Sequence, residues 1–269
     1  MNQLVLSLFP GIGLLDMAFE LEGFTVVRGP DLLWGGDIRN FHPPAGKFDG
    51  VIGGPPCQMF SRLAHLVRQN GYEPKFGNLI PEFERCVSEA APGWFAMEEV
   101  PDAPIPFVDP RDGYGIHSFI LNNRQLGEAQ NRKRRWTFGC RGARRVLRVE
   151  TVALESQTFE YAAVGGAQSM GHRDKMRRCS VMFKHGPSNA SLKEIIRKQG
   201  LPEDFDLPGL TVDAKCQAVG NGVPIPMGRA IAKAVKRALA EKEAYVMDGV
   251  YADSGVRTGE TFEKVTVGT

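Results

Sequence analysis

The 269-residue sequence lacks the long apolar run that a membrane helix requires, since no hydrophobic stretch approaches ~18 residues. Its amino terminus, MNQLVLSLFPGIG, has no basic region and leads into a glycine-rich turn, which predicts a first strand and argues against a signal peptide. The five cysteines are odd in number and contain no CxxC pair, so neither a disulfide framework nor a zinc site is expected. These absences predict a cytoplasmic protein with reduced thiols, no membrane and no metal.

Positive and negative side chains nearly balance in number over the whole chain, but they are distributed unevenly along it. Residues 130–184 contain 13 lysines and arginines against 4 acidic residues, whereas the net charge of the whole chain is +2. A basic middle on an otherwise acidic chain favours a polyanionic partner. A solvated surface with compensating ion pairs explains the same clustering about equally well.

Hydrophobic periodicity predicts strands that alternate with helices. Strands are predicted at 4–9, 24–27, 48–54, 94–100 and 135–140, and helices at 14–24, 79–92, 191–200 and 225–244. Asp16, Glu20 and Glu22 are predicted on the polar side of the first helix. The short spacing from Gly23 to Gly36 predicts a connection without a full helix. The alternation predicts an α/β fold with a Rossmann-like, doubly wound, mostly parallel sheet.

The turn 9-FPGIG-13 after the first strand has the composition of a nucleotide-cofactor loop. Its glycines let the backbone approach a ligand closely, and the helix that follows offers free N–H groups. The third glycine of GxGxxG is missing, which argues against a dinucleotide. Asp31, after the second strand, is placed to bind ribose hydroxyls, and Asp37 to accept from an adenine amino group. Each acid taken alone is more often a cap or turn residue.

A single cysteine follows an apolar strand and the sequence Gly-Gly-Pro-Pro at 53–56. Ligand crevices of open α/β sheets lie at the carboxyl ends of the strands. Cys57 is therefore predicted in the cleft, on a backbone stiffened by proline. A free cysteine is more often a small buried hydrophobe, but a nearby cation would raise the thiolate fraction of an exposed one.

Two acids and two arginines add to this candidate site. Glu98 and Glu99 end the strand 94-WFAMEEV-100, and since neighbours on a strand point to opposite faces, only one of them faces the cleft. The other is expected to need solvent or a cation. Arg132 and Arg134 are predicted on one side of an extended segment, where paired guanidinium groups suit carbonyl or phosphate oxygens. Taken alone, each of these acids and arginines is also explained as a solvent-exposed side chain at the edge of a sheet.

In their order along the chain, these motifs resemble those of the DNA cytosine-5 methyltransferases. The similarity rests on FPGIG, GDI, GGPPCQMFSR, MEEV for the family's Glu-Asn-Val, QNRKR for its Gln-x-Arg-x-Arg, and QAVGNGVP at 217–224. It covers about residues 4–142 and 191–240. Several motifs in the correct order are more specific than any one of them.

The resemblance implies S-adenosylmethionine as methyl donor and a flipped-out cytosine of double-stranded DNA as substrate. It implies Cys57 as the nucleophile that attacks C6, Glu98 at N3, and Arg134 with Arg132 alongside at the O2 region of the base and near the thiolate. No metal is implied. The residues implied at the donor site are Phe9, Gly11, Ile12, Gly13, Asp31, Asp37, Ile38, Pro56, Asn221 and Val223.

The break in pattern after Gly142 and the polar, glycine-containing end of the chain also predict a domain organisation. Residues 1–142 form a catalytic domain completed by 191–245, residues 143–190 a small target-recognition lobe with phosphate-contacting arginines, and residues 246–269 a mobile tail. A monomer from a bacterium or a phage is expected. Glu99 replaces the family's asparagine, and an additional carboxylate near the cleft could repel the thiolate. Two alternatives stay open: an RNA cytosine-5 methyltransferase, and a DNA-binding relative with impaired catalysis.

Overall fold

A six-stranded mixed sheet forms the centre of the protein. The computed structural model describes residues 3–56, 59–60, 77–153, 158–163, 192–241, 243–244 and 265–266. The strands are β1 (Leu4–Leu8), β2 (Thr25–Arg28), β3 (Gly50–Gly53), β4 (Trp94–Glu99), β5 (Tyr114–Asn122), β6 (Gln130–Asn131), β7 (Lys133–Arg141), β8 (Glu160–Tyr161), β9 (Glu243–Ala244) and β10 (Val265–Thr266). The large sheet has the order β2-β1-β3-β4-β7-β5. Its first four strands are parallel, and β7 runs antiparallel to β4 and β5.

Helices cover both faces of this sheet. They are α1 (Leu14–Leu21), α2 (Ile80–Ala90), α3 (Leu192–Lys198), α4 (Val212–Asn221) and α5 (Ile225–Ala240). Phe19 of α1 and Ile231 of α5 pack with Trp94 on one face, while Phe83 of α2 packs with Phe95 on the other. The predicted doubly wound, mostly parallel sheet is therefore confirmed. Within the described parts of the chain, none of these helices has the length and hydropathy that crossing a membrane requires.

The connection between β2 and β3 is short, as its spacing predicts. All of its residues are described, and its only helical turns are two 3-10 turns, Leu32–Trp34 and Ile38–Asn40. Asp31 and Asp37 are the residues that cap these turns, each accepting from the backbone N–H two positions later. The prediction missed β5 and α4. The strand β5 is a partly exposed edge strand without clean alternation, and α4 ends in Gly220-Asn221, residues that are unfavourable in a helix.

Asp16 corrects the predicted polar face of α1. Its side chain is completely buried, and it accepts from the Ser7 hydroxyl at 2.5 Å and pairs with the Arg28 guanidinium at 2.9 Å. Burial raises the pKa of Asp16, while the hydrogen bond from Ser7 and the charge of Arg28 oppose that rise. The buried carboxyl therefore fixes the first turn of α1 to β1 and β2, next to the turn at 9–13.

The two aromatic residues that open β4 lie over glycines of the neighbouring strands. A Cβ at Gly50 of β3 would lie 2.2 Å from the Trp94 ring, and a Cβ at Gly139 of β7 would lie 2.1 Å from the Phe95 ring. Both rings are almost fully buried. The strands on either side of β4 therefore need glycine at these registers, because the rings occupy the space that a side chain would take.

The described part of the predicted recognition lobe packs on the catalytic domain. Leu147 is 4% exposed and belongs to the same core cluster as α5. Arg145 donates to the carbonyls of Ala238 and Glu241 at the end of α5, each at 2.6 Å. The remaining predicted lobe, 154–157 and 164–190, lies outside the described residues. Of the predicted tail, Val265–Thr266 pair with Glu243–Ala244 and the rest also lies outside them.

We expect Gly139→Ala to lower the free energy of unfolding by about 1–3 kcal/mol, because the added methyl group must displace the buried Phe95 ring. Urea unfolding followed by circular dichroism measures this change. Gly77→Ala is the matched control, since a Cβ at Gly77 meets no atom within 4 Å. Equal losses in the two variants would contradict the packing explanation.

Candidate active site

An ion pair joins the carboxyl end of β4 to the beginning of β7. The Arg134 Nε lies 2.7 Å from Glu98 Oε1, with the two side chains 16% and 12% exposed. The antiparallel register of β4 and β7 places Glu98 opposite Trp136, so Arg134 lies two residues further along the same face. Arg134 also donates to the Lys133 carbonyl at 2.7 Å. The pair is thus held at the sheet edge where the sequence predicts a cleft.

The segment that leads to Cys57 passes beside Glu98. A Cβ at Gly54 would lie 3.1 Å from Glu98 Oε2, so a larger residue would crowd the carboxylate. Pro55 is buried and Pro56 is partly buried. Cys57 is the next residue along the chain and lies outside the described residues. The described geometry therefore brings together the predicted Glu98, Arg134 and the approach to Cys57.

Two of the three described cysteines are poor nucleophiles. Cys86, Cys140 and Cys216 are buried and form no disulfide. Burial raises the pKa of the Cys86 thiol to about 11 and also raises that of Cys140. A thiol with a raised pKa has little thiolate at neutral pH, so neither Cys86 nor Cys140 suits nucleophilic attack.

Glu99 points away from solvent, contrary to the expectation that it needs solvent or a cation. It is 1% exposed, its Oε2 accepts from the Val100 N–H at 2.9 Å, and its Oε1 has no hydrogen-bond partner among the residues that the structure describes. Burial, and then the neighbouring Glu98 charge, raise the pKa of Glu99 to about 8. Glu99 is therefore mostly protonated and uncharged at neutral pH.

Arg132 is buried, and its guanidinium binds backbone carbonyls. It is 2% exposed and donates to the carbonyls of Ala163 at 2.6 Å, Gly220 at 3.1 Å and Gly222 at 2.9 Å. The sequence predicts that this arginine binds carbonyl or phosphate oxygens. It does bind carbonyl oxygens, but they belong to the protein's own backbone and not to a ligand. Arg132 therefore ties the beginning of β7 to the end of α4, across 88–90 residues of sequence.

The predicted donor loop has the backbone conformation of a tight turn. Phe9, Gly11 and Gly13 have φ of 55°, 55° and 84°, in the left-handed region that glycine tolerates best. A Cβ at Gly11 would meet no atom within 4 Å, so the loop has open space on that side. Ile12 is 6% exposed and packs in the core cluster beneath the loop.

Asp31 joins this loop to the connection that follows β2. Its carboxylate accepts from the Gly11 N–H and the Leu33 N–H, each at 2.8 Å. The sequence reasoning missed Trp34, whose indole N–H donates to the Gly11 carbonyl at 2.7 Å while 61% of the residue stays exposed. An exposed tryptophan two residues before GDI was the signal that could have identified it.

The other predicted donor residues lie in two further segments, one after β2 and one at the end of α4. Asp37 is held by a bidentate pair with Arg39, whose hydrogen bonds lower the pKa of Asp37, and Ile38 is buried. Val223 is buried and Asn221 is exposed at the far end of the chain. A Cβ at Gly222 would lie 2.5 Å from Leu14, the first residue of α1. The segment 221–223 thus packs directly behind the donor loop.

We expect Glu99→Gln to change how stability depends on pH. The pKa of Glu99 is raised from 4.5 to about 8 in the folded state, so the folded protein binds a proton that the unfolded chain releases. The wild type therefore loses unfolding free energy as pH rises from about 4.5 to 8, and the variant avoids that loss, which is roughly 4–5 kcal/mol. Urea unfolding at several pH values measures it. Glu203→Gln, at an exposed residue, is the control, and parallel curves for wild type and Glu99→Gln would refute the burial argument.

We expect Arg132→Lys to lower the free energy of unfolding by about 2–4 kcal/mol, because an ammonium group cannot reach all the carbonyls that the guanidinium binds. The neighbouring Arg135 donates to a single carbonyl, that of Pro101. Arg135→Lys is therefore the matched control, with an expected loss below about 1 kcal/mol. Similar thermal melting of both variants would show that the carbonyl contacts of Arg132 contribute little.

Comparison with known proteins agrees with the sequence motifs. The C-5 cytosine-specific DNA methylase family matches residues 35–103 and 155–237, which together are more than half of the chain. The Type II methyltransferase M.FnuDI of Fusobacterium nucleatum is 24% identical over 332 aligned positions, covering 89% of this chain and 96% of that protein. M.MthTI of Methanothermobacter thermautotrophicus is 24% identical over 89% of this chain and 98% of its own length.

Solved structures share the fold. The S. pombe Dnmt2 methyltransferase superimposes with a TM-score of 0.57 at 12% identity, covering 88% of this chain and 99% of that one. The Entamoeba histolytica methyltransferase EhMeth gives a TM-score of 0.56 at 13% identity over 90% of this chain and 100% of its own. The sheet is that of an S-adenosylmethionine-dependent methyltransferase fold, and the chain belongs to the C-5 cytosine-specific DNA methylase family.

Proposed function

We propose that this protein transfers a methyl group from S-adenosylmethionine to C5 of cytosine in DNA. The observation that carries the proposal is the Glu98–Arg134 ion pair, which lies at the carboxyl edge of the sheet beside Gly54, in the segment that leads to Cys57. It supports the proposal because an acid and a guanidinium lie beside the segment that leads to the predicted nucleophile, in a chain that belongs to a cytosine methylase family.

The residues around the turn at 9–13 fit the methyl donor. Open space at Gly11 allows close approach, the Asp31 carboxylate has acceptor capacity for ribose hydroxyls, and the exposed Trp34 offers an apolar surface for an adenine ring. Asp37 and Ile38 line the adenine side, and Pro56, Asn221 and Val223 complete the pocket. When bound, the donor supplies a methyl group on a sulfonium centre.

Cys57 supplies the nucleophile. Carbon C5 of cytosine is a poor nucleophile, and addition of the Cys57 thiolate to C6 makes C5 enamine-like, so that C5 accepts the methyl group. Loss of the C5 proton then returns the electron pair that expels the thiolate. The Pro55-Pro56 backbone fixes the position of the sulfur, and small errors in that position cost rate.

Glu98 and Arg134 support the attack from the other side of the ring. Electron density accumulates on N3 as the thiolate adds, and Glu98 is the group that we propose hydrogen-bonds to or protonates N3 at that stage. Arg134 orients Glu98 through the 2.7 Å contact and offers its remaining N–H groups to O2 of the base. Arg132 acts as a positioning residue, since its guanidinium holds the carbonyls of 220–222 behind the donor loop.

Glu99 supports an active enzyme over a catalytically impaired relative. A second carboxylate would repel the Cys57 thiolate if it were charged. The pKa of Glu99 is about 8, so the side chain is mostly neutral at pH 7 and adds little negative charge to the cleft. In its neutral form it can both donate and accept hydrogen bonds, as the asparagine usual in the family can.

Double-stranded DNA is the proposed substrate, and the target cytosine must leave the stack because a duplex hides C6. We assign the catalytic domain to 1–142 with 191–245, target recognition to 143–190 and a tail to 246–269, in a monomer. The arginines implied at phosphates include Arg144, Arg145 and Arg148, of which Arg145 already binds the end of α5.

We expect Cys57→Ala to abolish methyl transfer while it leaves donor binding within about threefold of wild type, because Cys57 lies outside the donor loop. Transfer of a radiolabelled methyl group to duplex DNA and to RNA, with calorimetric titration of the donor, measures both properties. Cys140→Ala is the matched control and should retain activity. Turnover by Cys57→Ala would refute the nucleophile, and wild-type transfer to RNA alone would select the RNA alternative.

A further inference from the structure

The segment 38–46, which directly follows the proposed donor residue Asp37, is joined to α2 by hydrogen bonds along its length. The contacts are those of Arg85 with the Ile38 carbonyl, of His42 with the Glu89 carboxylate, and of the Gly46 N–H with the Ala90 carbonyl. Of these, the contact of Arg85 is the one that reaches a residue proposed to line the adenine side of the donor. The helix α2 therefore supports that side of the pocket through one arginine.

Two carboxylates of the same helix hold the Arg85 guanidinium in place. Its Nε donates to Glu82 at 2.9 Å and its Nη1 donates to Glu89 at 2.8 Å. These acids stand one helical turn before and one turn after Arg85, on the same face of α2. The Nη2 group donates to the Ile38 carbonyl at 2.9 Å, across 47 residues of the sequence. The planar guanidinium thus makes all three contacts at once.

The Ile38 carbonyl belongs to the 3-10 turn Ile38–Asn40, which Asp37 caps. Ile38 is 4% exposed, and its carbonyl also accepts from the Phe41 N–H at 3.1 Å. Within the described residues, no group accepts a hydrogen bond from the Ile38 N–H. Because Arg85 restrains the carbonyl of this turn, it also restrains the neighbouring Asp37 carboxylate and the unpaired Ile38 N–H.

An acceptor and a donor on neighbouring residues match the edge of an adenine ring. Adenine presents its 6-amino group as a donor and N1 as an acceptor at neighbouring positions. The Asp37 carboxylate can accept from the amino group, and the Ile38 N–H can donate to N1. Such a two-point contact gains affinity when both protein groups are already held in the binding arrangement. The position of the turn therefore controls how well the ring is recognised.

We propose that Arg85 is a positioning residue for the adenine ring of the methyl donor, and that it acts through the turn Ile38–Asn40. Its guanidinium contacts the turn and not the donor. This inference rests on the proposed function, because it takes S-adenosylmethionine as the donor. It does not depend on the identity of the nucleophile or of the methylated base.

The test compares two ligands in the full-length variant Arg85→Lys, whose single ammonium group cannot bind both glutamates and the Ile38 carbonyl together. We expect the variant to bind S-adenosylhomocysteine about 5–20-fold more weakly, because the turn loses a charge-assisted hydrogen bond. In S-inosylhomocysteine a carbonyl oxygen replaces the 6-amino group, so the two-point contact is absent and binding should change less than about twofold. Calorimetric titration measures both affinities.

Steady-state methyl transfer to DNA provides a second readout. Arg85→Lys should raise the KM for S-adenosylmethionine about 5–20-fold, whereas kcat and the KM for DNA should change less than about twofold. A purely structural role of Arg85 would instead weaken both nucleoside ligands together. Glu89→Gln gives an independent variant, because it removes one carboxylate that orients the guanidinium. It should weaken S-adenosylhomocysteine alone, by about 2–5-fold.

Arg229→Lys is the matched control, because Arg229 lies on α5 and pairs with Glu22 at 2.7 Å. It should bind both ligands as the wild type does. Equal losses for the two ligands in Arg85→Lys, or binding that matches the control, would overturn the inference. If the adenine-dependent losses appear but the wild type methylates no DNA, the proposed function fails and the role of Arg85 stands.

Discussion

The contact between Arg134 and Glu98 is the constraint on which the proposed chemistry depends. It exists because β7 runs antiparallel to β4, so that the beginning of β7 meets the end of β4 at the edge of the sheet where the other parallel strands also end. If β7 ran parallel to β4, the carboxyl end of β7 would lie next to Glu98, and Arg134 at its beginning would lie at the opposite edge of the sheet. The single reversed strand therefore supplies a guanidinium where a carboxyl group ends a parallel strand, and Gly54 leaves the space that this carboxyl group needs.

A second constraint holds the proposed donor pocket together from inside. The Arg132 guanidinium donates hydrogen bonds to the backbone carbonyls of residues 163 and 220–222. Gly222 in turn packs against the first residue of α1. Asp16 anchors the same turn of α1 through Ser7 and Arg28. Two buried charged groups thus fix the two sides of the donor loop. Two arginines of one motif have different roles: Arg132 organises the backbone, and Arg134 contacts the acid of the proposed active site.

Local patterns in the sequence were sufficient to predict much of this fold. Strand–turn–helix order, glycine turns and the apolar face of α5 all depend on neighbours in the chain. The predicted strands and helices agree with the structure, except that α5 ends at Ala240 and the predicted helical residues 243–244 form β9. The motifs also predicted which residues lie at the strand ends. Periodicity assigned Asp16 to solvent because α1 is amphipathic, yet a partner from β2 made its burial favourable.

The remaining features depend on distant partners that no local pattern records. The carbonyls that bind Arg132 come from residues 31 to 90 positions away. The burial of Glu99 depends on packing of the sheet face that α2 covers. The sequence was therefore least able to predict where buried ionisable side chains such as Arg132 and Glu99 lie in the candidate site.

The most direct test is covalent capture on duplex DNA in which 5-fluorocytosine replaces cytosine. After addition of the Cys57 thiolate and methylation, C5 carries fluorine in place of the proton whose loss expels the sulfur, so the protein stays attached to the base. We predict a denaturant-resistant complex that requires S-adenosylmethionine, maps to Cys57 by mass spectrometry, and forms more slowly in Glu98→Gln. Methylation of ordinary DNA without any such complex, or with attachment at another residue, would contradict the account.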